Sequence, residues 1–125
     1  MTNDKMPKKY DLEERTAVFG ENIIEFCKKV PKNVITIPLI GQLVRSGTSV
    51  GSNYCEADCA ESRKDFEHKL GICKKEAKES RHWLRMIVKA VPELRENVKP
   101  LWKEASELHL IFIAIIKKSR INKNS

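Results

Sequence analysis

The chain has 125 residues, enough for one domain with a core of its own and no need of disulfide staples. Its 24 Lys and Arg outweigh 17 Asp and Glu to give a net charge of +7, and the whole excess lies in the second half. Residues 1–60 balance eight cations against eight acids, whereas residues 61–125 set sixteen against nine, an asymmetry that suggests a polyanionic partner, with ordinary solubilising charge the equal alternative.

The opening "MTNDKMPKKYDLEERT" has no apolar core, so no secretory leader is expected. The longest near-continuous apolar run, "LHLIFIAII" at residues 108–116, is about half of what a membrane span requires. Cys27, Cys55, Cys59 and Cys73 lie in apolar or mixed segments rather than Gly/Pro-rich loops, and are expected to be small buried thiols. The expectation is a reduced, cytoplasmic protein with no membrane association.

Four segments show helical spacing and none shows sustained strand alternation. The first predicted helix spans 11–30, where Leu12, Thr16, Phe19, Ile23, Phe26 and Val30 step by fours and threes along one seam, and Pro31 ends it. The second spans 37–60, with Thr36 as its expected N-cap and Pro38 inside the first turn. The third spans 63–90, opened by a Ser62/Asp65 capping pair and closed by Pro92. The fourth spans 100–119, beginning at Pro100, and the "RINKNS" tail is expected to fray. Helices of this length joined by short links predict an all-α, up-and-down antiparallel four-helix bundle over residues 1–125.

The second helix contains "GTSVG" at 47–51, a literal match to the G-x-S-x-G nucleophile elbow. An elbow needs a strand entering and a helix leaving a sharp turn. Here a helical pattern runs straight through: Leu39, Ile40, Leu43, Val44, Gly47, Val50, Gly51 and Tyr54 share one face. Arg45, Ser49, Ser52, Asn53 and Glu56 form a polar ridge opposite. Two glycines inside a helix cost about 1 kcal/mol each against alanine, which implies close approach by a neighbouring backbone. Ser49 is therefore not expected to be a nucleophile, and no catalytic residue is expected.

These residues carry a resemblance. The run "LVRSGTSVGSNYCEADCAESRKDFEHKLGICKKEAKESRHWLR" at 43–85, with the opening "YDLEERTAVFGENIIEFCKKVPK" and closing "ASELHLIFIAIIKKS", resembles the bacterial four-helix-bundle family of 23S rRNA intervening-sequence proteins. The resemblance covers about residues 10–119. It implies a homo-oligomer, typically a pentameric barrel, and an involvement with nucleic acid. The accessory proteins of diversity-generating retroelements, which partner a reverse transcriptase and its RNA, look similar in fold.

On the third helix the core face comprises Phe66, Leu70, Cys73, Ala77, Ser80, Leu84 and Ile87. One flank carries Arg63, Lys74, Lys78, Arg81, Arg85 and Lys89, with Glu67 the only acid among them. The other carries Asp65, Ile72, Glu76, Glu79 and Trp83. Six cations on one flank make a ladder about 40 Å long, suited to several phosphates of RNA or DNA. The alternative is that the ladder meets the acidic flank of a neighbouring subunit in a ring. Base-specific reading is not expected, since most of the eight aromatics look like core.

The family-motif polar residues Arg45, Ser49, Asn53, Glu56, Lys75, Glu76 and Glu79 are expected to form a hydrogen-bonded network between helices; the competing reading is an anion pocket at Arg45. Cys55 and Cys59 stand one turn apart, but no second close Cys/His pair completes a zinc site, and neither metal nor cofactor is expected. In the fourth helix Leu101, Ala105, Leu108, Phe112 and Ile115 supply the bundle seam. Leu110, Ile111, Ile113 and Ile116 are surplus to it and predict the oligomer interface. The function expected is non-enzymatic, electrostatic binding of nucleic acid, RNA foremost. The runner-up is a structural adaptor for a protein such as a reverse transcriptase or other polymerase.

Overall fold

A computed structural model describes residues 11–123. The charged opening at 1–10, where the absence of a leader was expected, and residues 124–125 of the tail lie outside the described residues. Four helices follow in order: α1 (Leu12–Lys29), α2 (Thr36–Asp58), α3 (Arg63–Ala90) and α4 (Arg95–Lys123), with a 3-10 turn at Pro92–Leu94. Among the described residues there is no strand. Each helix packs on its neighbour in sequence, and α4 closes the ring against α1 along a shorter seam. The topology is the up-and-down bundle.

Local chemistry sets the ends. Asp11 Oδ1 accepts from the Glu14 amide at 3.3 Å, Glu13 and Glu14 fill the first turn of α1, and Lys28 and Lys29 its last, which suits the helix dipole at both ends. Ser62 caps α3 as expected, its Oγ accepting from the Asp65 amide at 3.0 Å.

The cap of α2 differs from expectation. Thr36 is already helical, and Asn33 does the capping. Its Oδ1 accepts from the amides of Ile35 and Thr36, both at 2.9 Å, while the Thr36 hydroxyl donates back to Pro31 O. An asparagine side chain folds over the following amides in this way more readily than a threonine does.

The fourth helix begins five residues earlier than expected and runs on to Lys123. Pro100 sits inside it. Proline forfeits the bond to the Glu96 carbonyl, but Val98 and Leu101 on either side of it are buried. Their packing carries the helix past the break. At the far end, Arg120 Nε lies 3.6 Å from Glu67 of α3, which holds the last turns against the bundle.

All six seam residues expected for α1 are buried, and so are all those of α3 except Phe66, which is half-buried. In α4 the seam is Leu101, Ala105, Leu108, Phe112 and Ile116, with Ile115 only partly covered. Ile116 is thus corrected from interface to core at 7% exposure, because the step from Phe112 closes on the bundle axis at i+4 rather than i+3.

The glycines of α2 behave as the helical reading requires. A Cβ on Gly47 would lie 2.8 Å from Cγ1 of Ile23, and one on Gly51 would lie 3.3 Å from the carbonyl oxygen of Thr16. They let α1 lie close along α2.

Candidate nucleic-acid interface

The two flanks of α3 face two different neighbours. The acidic flank turns to α2. There Arg45 Nη1 donates to Glu76 Oε1 at 3.1 Å and its Nη2 to Glu79 Oε2, while Nε reaches Gln42 Oε1 at 3.1 Å. Trp83 Nε1 also donates to Glu79, at 3.0 Å. The basic flank turns toward α4. Arg63 Nη1 donates to Ser119 O at 3.1 Å, and Arg81 Nη1 to Ser106 Oγ at 3.3 Å. His109 Nδ1 lies 3.2 Å from the carbonyl oxygen of Lys74, a contact that requires the proton on Nδ1.

Of the expected polar network, then, Arg45, Glu76 and Glu79 form the inter-helix part. Ser49 and Asn53 do not join it. The Ser49 hydroxyl donates to Arg45 O at 2.6 Å and Asn53 Nδ2 to Ser49 O at 2.9 Å, both within their own helix. Glu56 instead bridges to Lys69 of α3 at 2.6 Å. Lys75 is exposed and makes no hydrogen bond or ion pair among the described residues, because it lines the groove of Lys78, Arg85 and Trp102 instead.

Ser49 lies in mid-helix with its hydroxyl proton committed to a carbonyl, so the G-x-S-x-G letters sit in no strand–turn–helix elbow. Two cysteines also depart from expectation. Cys27 and Cys73 are buried, and burial pushes their thiols up to about 11 and about 12. Cys55 and Cys59 are exposed, one on the outer side of α2 and the other at its C-cap. A thiol reagent at neutral pH should label Cys55 and Cys59 quickly and leave Cys27 and Cys73 slow until denaturant is added. Mass spectrometry of the native protein showing four rapid additions would contradict this burial. Among the described residues no group of three His, Cys, Asp or Glu is placed to hold a metal ion.

Carboxylates are distributed unevenly over the cations. Arg15 is held by Glu104 and Glu107 across the α1–α4 seam, at 2.7 and 2.8 Å; the hydrogen bond to Glu104 leads in raising its pKa above the ordinary value. Arg45, Lys69 and Arg120 are paired as described above. None of the six expected cations, Arg63, Lys74, Lys78, Arg81, Arg85 and Lys89, pairs with a carboxylate among the described residues. Glu67, the acid on their flank, is engaged by Arg120 and by the Ser119 hydroxyl at 2.6 Å. Arg63, Lys78, Arg85 and Lys89 are exposed, whereas Lys74 and Arg81 are half-buried against α4.

Cations of α4 extend this face, where Lys117 and Arg120 share a groove with Lys74. Sequence reasoning missed two parts of it. Arg95 and Lys99 share a groove with Arg85. Trp102 also lies there, 39% exposed. Its position one residue after the buried Leu101 turns it about 100° away from the core, a signal the helical projection already held.

An all-α, up-and-down four-helix bundle whose third helix binds α2 through Glu76 and Glu79 and shows its cations beside α4 is the class of protein so defined. The family model of the 23S rRNA-intervening sequence proteins matches residues 8–114, and the chain belongs to that family. It is also similar to a crystal structure of a protein with unknown function from the S23 ribosomal protein family of Bacteroides thetaiotaomicron. The two are 31% identical over 89% of this chain and 99% of that one, with a TM-score of 0.79. No curated protein matches the chain. No helix among the described residues is long and apolar enough to cross a membrane.

Proposed function

We propose that the chain is a non-enzymatic, cytoplasmic RNA-binding protein that acts as a homo-oligomer and holds phosphates on its α3–α4 face. The observation that carries this reading is the set of six α3 cations without carboxylate partners among the described residues, in a molecule whose other inter-helix cations are neutralised. The competing use of the ladder, contact with a neighbour's acidic flank, is weakened because Glu76 and Glu79 of that flank are already held by Arg45 of the same chain. The family's description, which refers to 23S rRNA, makes RNA the preferred polyanion. The committed hydroxyl of Ser49 supports the non-enzymatic part.

If all six cations meet one single strand, log K should fall against log salt with a slope of roughly −4. Lys78→Glu combined with Arg85→Glu should flatten that slope while leaving the helical circular dichroism intact. A folded double variant with the wild-type slope would remove α3 from the binding surface.

Assembly is supported by Leu110 and Ile113, which point outward from α4 at 63% and 39% exposure. Ile111, the remaining residue of the expected interface, is half-buried against the core. A pentamer is the stoichiometry that the resemblance implies. Light scattering that gives a monomer at micromolar concentration would refute the assembly.

A second reading, an adaptor for a protein such as a polymerase, is favoured by the α1–α2 turn, where Val34, Ile35 and Ile37 stand exposed together. Association that survives nuclease and high salt would favour it.

A further inference from the structure

The basic face contains an aromatic platform. Trp102 projects from α4 between two groups of cations: Lys78, Arg81 and Arg85 border it on one side, Arg95 and Lys99 on the other. The Arg81 guanidinium lies over the indole with Cζ 5.6 Å from the ring centroid. Arg81 is fixed there by Ser106, whose own hydroxyl donates to Trp102 O at 2.8 Å. Of the acids nearby, Glu96 is paired with Lys99 at 3.0 Å and Glu79 is held by Arg45 and Trp83. An indole so exposed loses hydrophobic burial, and covering Arg81 uses only part of its surface.

We infer that Trp102 is a base-stacking site, and that the polyanion this face takes is single-stranded, with a base against the indole and its flanking phosphates on Arg85 and Arg95. The inference rests on the reading of the α3–α4 face as a nucleic-acid surface and deepens it. Duplex bases are stacked on one another and offer no free ring face, whereas an unpaired base offers one of any sequence. Cations on both sides of an aromatic ring suit a strand whose backbone runs past a splayed base. Recognition of this kind tolerates sequence and discriminates strandedness.

The test compares a short unstructured oligouridylate, an abasic strand of equal length and a duplex RNA, each by fluorescence anisotropy at one salt concentration. Trp102→Ala should weaken oligouridylate binding about 5- to 100-fold, and Trp102→Phe should restore most of it. Neither variant should alter the affinity for the abasic strand or the salt slope. Equal losses on the abasic strand and the oligouridylate would mean that the indole only positions Arg81, and the stacking site would fall. So would an unchanged oligouridylate affinity in Trp102→Ala. If the wild-type protein binds none of the three polyanions, the reading of the whole face fails with it. If wild type binds the abasic strand steeply with salt and the alanine variant changes nothing, only the stacking fails.

Discussion

Gly47→Ala should lower the stability of the bundle by about 2 kcal/mol, whereas the chemically identical change Gly71→Ala should raise it by about 1 kcal/mol. Both glycines lie inside long helices, and both replacements relieve the same helix-propensity cost. What separates them is the space outside. At Gly71 a new Cβ meets nothing within 4 Å. At Gly47 it lies 2.8, 3.0 and 3.2 Å from Cγ1, Cγ2 and Cβ of Ile23. Ile23 cannot swing aside: it is fully buried, and branching at Cβ leaves it few rotamers in a helix. The helices must part or the side chain must leave its well, which costs about 3 kcal/mol at the upper end for overpacked cores. Urea midpoints at constant m-value measure both changes. Ile23→Ala should cost several kcal/mol alone by leaving a cavity, yet much less on top of Gly47→Ala. Additive losses would show that the two residues do not meet. Destabilisation by Gly71→Ala would show that another molecule packs on α3 at that point.

The same pair shows what was legible in the sequence and what was not. Spacing alone located the four helices, the α1 seam and the close approach at Gly47 and Gly51, because each of these follows from a 3.6-residue period and the size of a side chain. Start and stop positions were harder. Pro100 reads as a helix start from its missing amide, but Val98 and Leu101 bury themselves around it and extend the helix backward. The buried Oγ–Oγ contact of Ser46 and Ser80, at 3.0 Å, went unseen on the α2 side because a serine in a glycine-rich run looks polar and outward. Ser46 is nevertheless three residues from Leu43 and four from Val50, on the core face. The polar network was legible only in part: Arg45, Glu76 and Glu79 meet across the helices, whereas Ser49 and Asn53 bond within α2 and Lys75 stays outside. Which acid meets Arg45 depends on the axial offset between α2 and α3, and that offset is set by packing rather than by any local motif. The basic flank was legible as charge; Trp102 beside it depended on how α4 rotates against α3.

Arg45→Ala should cost about 3 kcal/mol, more than its surface position suggests. The side chain is 45% exposed, and an isolated pair at such a site contributes little. The loss comes from the other end. The Glu76 side chain is only 9% exposed, and its carboxylate has no hydrogen-bond donor other than Arg45 among the described residues. Glu79 is better placed, since Trp83 Nε1 still donates to it and water reaches it. Removing the guanidinium therefore strands one nearly buried charge. Arg45→Lys should recover little, because a single ammonium cannot fork to Glu76, Glu79 and Gln42 at once. Glu76→Gln added to Arg45→Ala should recover about half of the loss by removing the stranded charge. An Arg45→Ala variant within about 0.5 kcal/mol of wild type would show that Glu76 is satisfied some other way. The salt slope of the proposed RNA binding is a separate readout. Arg45 lies on the α2 side of α3, away from the ladder beside α4, so the slope should hold while stability falls. A slope that moved with Arg45 would place phosphates on the α2 side, and the division of α3 into one flank that binds the bundle and one that binds the polyanion would be wrong.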